Sequence, residues 1–287
     1  MSQSTLIHSG SAAAADGAGA APPKHGNVHT LHQKLVAGIE YPRSATASYV
    51  LPPTILAGVR CFFFTYIFVI GILGLVRWVI NKPTTVLDFE YFFLFTHLNW
   101  WGLFAYMTLT LLITRKAWAS GFQDDAVVSR VTAIVHSLLY TWNCTFHPIV
   151  VGVYWWKLSS GFGPQSATGK LVSGSQHGAS VVMVLFEVIF GAMYLNPWGI
   201  APVLVILVLY TIWAWIFFFI GDDWVYSFLD YRGSAAKYMY PAVLVGTVIM
   251  FFLMIGVHKL RGALYGKRSL RVPAVASPTV EIPMSQV

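Results

Sequence analysis

Residues 199–220, GIAPVLVILVLYTIWAWIFFFI, form an unbroken apolar run without a charged side chain. A helix needs roughly 20 such residues to cross the hydrocarbon core of a bilayer, so this run reads as a membrane span. Five more stretches approach or exceed that length, at 55–76, 90–114, 131–156, 177–195 and 238–257. The expected fold is therefore all-α: a polytopic membrane protein with six transmembrane helices around a polar-lined interior pocket. Composition agrees, because 56% of residues are hydrophobic, only 10% are charged and the mean hydropathy is +0.64. That balance belongs to membrane proteins. Eleven tryptophans suit helix ends at two headgroup interfaces. The formal charge of +7 then points to anionic lipid headgroups and not to nucleic acid.

The turn Asn196-Pro197-Trp198 separates the fourth and fifth spans and predicts an antiparallel hairpin. Arg60, near the start of the first span, is expected to snorkel its charge to the interface. Cys61 and Cys144 fall inside apolar runs and imply no disulfide framework. Positive charge concentrates in the amino tail (Lys24, Lys34, Arg43), the second connection (Arg115, Lys116, Arg130) and the carboxyl tail (Lys259, Arg261, Lys267, Arg268, Arg271). The other connections carry only Arg77 and Lys82, Lys157 and Lys170, and Arg232 and Lys237. By the positive-inside rule both tails are cytosolic. The chain divides into a disordered tail over 1–54, rich in Ala, Gly, Ser and Pro, a six-span domain over 55–264, and a basic, Pro-containing tail over 265–287. No run in the first fifty residues is apolar enough for a signal peptide. The basic cluster after the sixth span is expected to hold that end against the anionic cytoplasmic leaflet.

Polar residues inside the spans recur at intervals of three and four. Thr96, Asn99, Tyr106 and Thr110 share one helical stripe, His136, Tyr140, Asn143 and His147 a second, and His177, Ser180 and Glu187 a third. Three such stripes imply one shared interior cavity. The second and fourth spans both enter from the non-cytosolic side, so Thr96 and His177, which opens the fourth span, are expected at a common depth. Ionisable groups at membrane depth are functional by default. A Thr hydroxyl becomes a nucleophile when a neighbouring imidazole takes its proton, so Thr96 is the candidate nucleophile and His177 the candidate base. A helix amino end would keep His177 neutral. Asn99, Tyr140, Asn143 and His147 are candidates for binding substrate or stabilising an oxyanion, with Glu187 deeper on the fourth span. Asp223, with Asp222, is a candidate for orienting His177 as a triad acid. The plainer reading of the same residues is that a membrane Thr bonds its own backbone, an interfacial His caps a helix, and Glu187 makes a structural hydrogen bond. Pro148 is expected to kink the third span.

Three short motifs, in register, add a resemblance. FLFTHLNWW (93–101) resembles the Thr-bearing second span of the androgen-induced-protein and androgen-dependent TFPI-regulating protein family, membrane threonine hydrolases related to rolling stone proteins. QHGAS (176–180) resembles that family's His-Gly at the head of the fourth span, and LYTIWAWIFFFIGDDWVYSFLDY (209–231) its fifth span and the segment after it. The resemblance covers residues 90–260. It implies a six-helix hydrolase of fatty acid esters of hydroxy fatty acids, with the nucleophile on Thr96 and its partner on His177. The substrate would be a lipid within the bilayer, and the membrane would be the endoplasmic reticulum or plasma membrane. No cofactor or metal is expected. The chain departs from the pattern in its long amino tail, in the placement of its fourth-span acid, and at His147-Pro148, where the family has Phe-Pro. Two other classes stay open: a haem or metal enzyme using His97, His136, His147 and His177, and a non-enzymatic scaffold or fusion factor of rolling-stone type.

Overall fold

A computed structural model describes residues 41–81, 88–121 and 128–265, and among these residues it is helical throughout, with no strand. The six long helices are α1 (Pro53–Asn81), α2 (Phe95–Ala119), α3 (Arg130–Val153), α4 (Ala167–Phe190), α5 (Ile200–Gly221) and α6 (Ala236–Tyr265). Local chemistry sets their starts. Pro53 opens α1, where its missing N–H costs nothing. Ser129 and Ser166 accept backbone N–H bonds at the heads of α3 and α4, and Asn196 caps the turn Pro197–Gly199 that leads into α5.

Helices α1, α4, α5 with its leading turn, and α6 are long and apolar enough to cross a membrane. Their outward faces carry Phe62, Val69, Val182, Val208, Phe219 and Ile249, all exposed. Helices α2 and α3 pack on each other more extensively than any other pair. They carry the buried Asn99, Thr110, His136, Asn143 and His147 and form the centre: α3 also contacts α4, α5 and α6. Close approach is built in at Gly71 of α1, where a Cβ would lie 3.0 Å from the indole nitrogen of Trp100. That nitrogen donates to the Ile67 carbonyl at 3.0 Å.

Several sequence expectations change. Residues 41–54 are not a loose tail: the short helical turn Arg43–Thr46 is packed inside, with Ala45, Ala47 and Ser48 fully buried. Residues 1–40 and 266–287, including Lys24, Lys34, Lys267, Arg268 and Arg271, lie outside the described residues, as does Lys82. The fourth and fifth helices join through their tight turn, yet α5 finds its closest packing on α3 and α6, so they are not a side-by-side hairpin. Arg60 does not snorkel. It is fully buried, and its Nε and Nη2 donate to the two carboxylate oxygens of Glu187 at 2.8 and 2.7 Å. Pairing in a low dielectric is the only inexpensive way to keep either charge there. Arg261 likewise leaves the basic tail. It is buried in α6 and donates to the carbonyls of Val188, Gly191 and Met193 at the end of α4, satisfying orphan acceptors where the helix dipole is negative.

Candidate functional site

The three polar stripes do not line one open cavity. Over most of their length they interlock. Glu187, held by Arg60, also accepts from the Tyr106 hydroxyl at 3.2 Å. His136 bridges the hydroxyls of Thr110 and Tyr41, at 2.9 Å each, and the Tyr140 hydroxyl meets His258 Nε2 at 2.7 Å. These groups fill one end of the bundle, and the filling is structural: buried polar atoms are affordable only when paired.

The other end is hollow. A cavity of about 460 Å³ opens among the last turns of α1, the first turn of α2, the end of α3 and the first half of α4. Thr96, His97 and His177 all line it, and α2 packs directly on the segment that carries His177. An adjoining apolar pocket of about 110 Å³ runs between α3, α5 and α6 past Phe146, Val150, Leu207 and Val243. The two spaces share Thr96, Tyr154, Leu158 and Tyr226. Thr96 therefore stands where a polar chamber meets a hydrocarbon-lined one.

His177 does not open its helix. Helix α4 begins ten residues earlier, at Ala167, and His177 lies in a π-helical turn, Ser175–Ala179, with non-helical dihedrals of −113° and 17°. The helix-dipole argument for its neutrality therefore does not apply. A second π-helical turn, Tyr154–Leu158, ends α3 beside it. π-bulges free backbone groups and redirect side chains, and both effects operate here. The Trp155 indole donates to the His177 carbonyl at 2.8 Å, while the Tyr154 ring stacks on the imidazole at 3.5 Å between centroids and 4° between planes. The Tyr154 hydroxyl is tied to Ser173 at 2.7 Å. His177 is buried, its plane is fixed by stacking, and its Nδ1 has no hydrogen-bond partner among the described residues.

Thr96 differs from the threonines deeper in the helices. Thr65, Thr108, Thr110, Thr114, Thr141, Thr145, Thr211 and Thr247 each donate to the carbonyl four residues earlier. Thr96 makes no such bond. Its fourth-previous carbonyl, that of Phe92, lies before α2 begins and accepts from the Trp213 indole at 3.1 Å. The plain reading of a membrane Thr, a hydroxyl spent on its own backbone, fails at this position. What approaches it is Tyr226, whose phenol stands against the Thr96 side chain and backbone. Tyr226 arrives on the segment after α5, which folds back over this end of the bundle: Trp224 stacks on Phe218 at 4.6 Å, and Val225 packs with Phe93 and Phe217.

The remaining candidates are placed elsewhere. Asn99 is buried, donates to the Phe95 carbonyl at 2.8 Å and accepts from the Trp142 indole at 2.7 Å. Asn143 donates to the Leu139 carbonyl at 2.7 Å and meets His147 Nε2 at 2.9 Å. With Tyr140 and Glu187, these residues do not border the cavity. Asp222 is 89% exposed and Asp223 binds the backbone N–H of Trp224 at 2.7 Å, so neither acts as a triad acid to His177. Outside the helices, the half-buried Asp230 carboxyl lies below the usual carboxylate range because Arg232 hydrogen-bonds it. Among the described residues no three His, Cys, Asp or Glu side chains converge as a metal ion requires. Tyr154 and Tyr226 were missed by sequence reasoning. Tyr226 lies inside the Trp-Val-Tyr segment already singled out, but only the fold-back over α2 gives it a partner. Compared with protein-family models, curated proteins and solved structures, the chain returns no match.

Proposed function

We propose that this protein is an integral membrane hydrolase of carboxylic esters of lipids, with Thr96 as nucleophile and His177 as general base. Fatty acid esters of hydroxy fatty acids are the substrate class that the sequence resemblance implies. All six long helices span the bilayer in this reading, α2 and α3 shielded by the other four, and both termini are cytosolic. The observation that carries it is the position of Thr96, at the junction of a polar cavity that also holds His177 and an apolar pocket suited to an acyl chain.

The chemistry balances without a cofactor. His177 accepts the Thr96 proton as the hydroxyl oxygen attacks the ester carbonyl, and the oxyanion takes a hydrogen bond from the Tyr226 phenol. Collapse breaks the bond to the alkoxy oxygen, which leaves with the proton from imidazolium and yields a hydroxy fatty acid and an acyl-Thr96 ester. Water, deprotonated by the same imidazole, then releases the fatty acid. Tyr154 stacking does the orienting that a carboxylate does in a triad.

The test is turnover of branched hydroxy fatty acid esters by the detergent-purified full chain. Thr96→Ala and His177→Ala should each abolish it while membrane insertion and thermal unfolding stay intact. A Thr96→Ala protein that turns over substrate at the wild-type rate would end the proposal.

A further inference from the structure

The polar cavity carries one feature that ester cleavage leaves unexplained. Arg77 lines it, none of the other lining side chains carries a fixed charge, and none is acidic. Its one hydrogen bond among the described residues is long, 3.3 Å from Nη1 to the exposed Ser166 hydroxyl. The guanidinium is nonetheless positioned. It lies flat against α4 at Gly169, where an added Cβ would come within 2.5 Å of Nη1 and 2.9 Å of Nη2. A side chain at 169 would displace the guanidinium from that berth. Two turns further into α4, on the same face, Gln176 also borders the cavity. Its side chain is 96% buried, its Nε2 has no partner, and it sits against Gly74 of α1. A buried amide nitrogen without an acceptor costs free energy that a bound ligand oxygen would recover.

Arg77 and Gln176 thus define a seam of donors between α1 and α4, running from the cavity mouth to the residue beside His177. From Gly169 to Gln176 it covers about 10 Å, seven residues at 1.5 Å each. We infer that Arg77 is the anchor for a free carboxylate at the far end of the substrate, and that Gln176 receives an oxygen of the ester near His177. The site would then select acids whose ester lies well down the chain from the carboxylate, and reject their neutral methyl esters. This deepens the hydrolase reading and rests on it for the ester, whereas the carboxylate anchor is a binding property that stands without turnover.

Binding is measured on the full-length Thr96→Ala protein in detergent, with radiolabelled palmitate displaced by unlabelled palmitate, hexadecanol or lysophosphatidate. Palmitate should compete at least roughly tenfold better than hexadecanol, the size of one hydrogen bond to a charged group. Arg77→Met should erase that preference and leave hexadecanol binding unchanged. Gly169→Leu, which keeps the arginine and fills its berth, should weaken palmitate in the same sense. Equal competition by palmitate and hexadecanol, or an Arg77→Met protein that keeps the preference, overturns the inference. Lysophosphatidate competing far better than palmitate would also overturn it, by making the site one for a phosphate headgroup. Turnover of the wild type separates the two readings. If free acids and methyl esters are cleaved alike and Arg77→Met leaves their ratio unchanged, the anchor is wrong and the hydrolase stands. If palmitate keeps its Arg77-dependent preference while no ester is cleaved, the anchor stands and the hydrolase falls.

Discussion

Replacing Glu187 with Met tests whether the closed end of the bundle is held by paired charge. Arg60 and Glu187 meet through two parallel bonds of 2.7 and 2.8 Å, with side-chain exposures of 0% and 2%. Removing the carboxylate leaves a buried guanidinium with the Ala45 carbonyl, at 2.8 Å, as its one remaining acceptor among the described residues. Loss of one partner from such a pair costs about 3–5 kcal/mol, or roughly two to three and a half decades in the folding constant. Arg60→Met should cost about as much, because it strands the carboxylate. The double variant Arg60→Met/Glu187→Met removes both charges. It gives up the Tyr106 bond to Glu187 and the Ala45 bond to Arg60, one of which each single variant has already lost, and it strands no buried charge. It should therefore be more stable than either single variant. The assay is reversible unfolding in mixed micelles by SDS titration, followed by tryptophan fluorescence. Ester turnover should survive in the double variant, because Glu187 lies ten residues, about 15 Å, along α4 from His177. Additive losses, with the double variant the least stable of the three, would refute the idea that the pair and not the individual side chains is what the structure requires.

Tyr226→Phe should lower kcat by roughly 10²–10³ with KM nearly unchanged, the loss expected for one oxyanion donor, as read by steady-state kinetics. Tyr154→Leu removes the ring stacked on His177 and should lower kcat with little change in unfolding, whereas an equal fall in both would assign Tyr154 a packing role. Arg261→Met leaves the Val188, Gly191 and Met193 carbonyls without their donor. It should cost about 1–3 kcal/mol per stranded acceptor, with hydrogen exchange rising first at the end of α4.

Four of the helices were legible because each is mostly apolar over about 20 residues, and that demand is written locally. The stripes on α2, α3 and α4 were legible for the same reason: helical period alone collects them. What the period cannot say is which stripe residues pair with one another. Glu187 and Arg60 are 127 positions apart, and only the tertiary fold turns a residue expected to snorkel into a buried partner. His177 was misplaced within its helix because the ten residues before it, ATGKLVSG with Ser175 and Gln176, are too polar to look like part of a span. Of the buried ones, Gly169, Val172 and Gln176 border the cavity. Thr96 and His177 both line one cavity, but the stripe could not show that the Thr96 hydroxyl makes no bond to the carbonyl four residues earlier. The Phe92 carbonyl lies ahead of α2 and accepts from Trp213 of another helix. Tyr154 and Tyr226 act through contacts made by a π-turn and a folded-back segment, neither of which has a periodic signature.

The most direct measurement is site-resolved mass spectrometry after the purified full chain reacts with a fluorophosphonate probe. The account predicts one adduct on the Thr96 hydroxyl, lost in Thr96→Ala and much slowed in His177→Ala. A covalent adduct on any other residue that persists in Thr96→Ala, together with unchanged ester turnover, would contradict it.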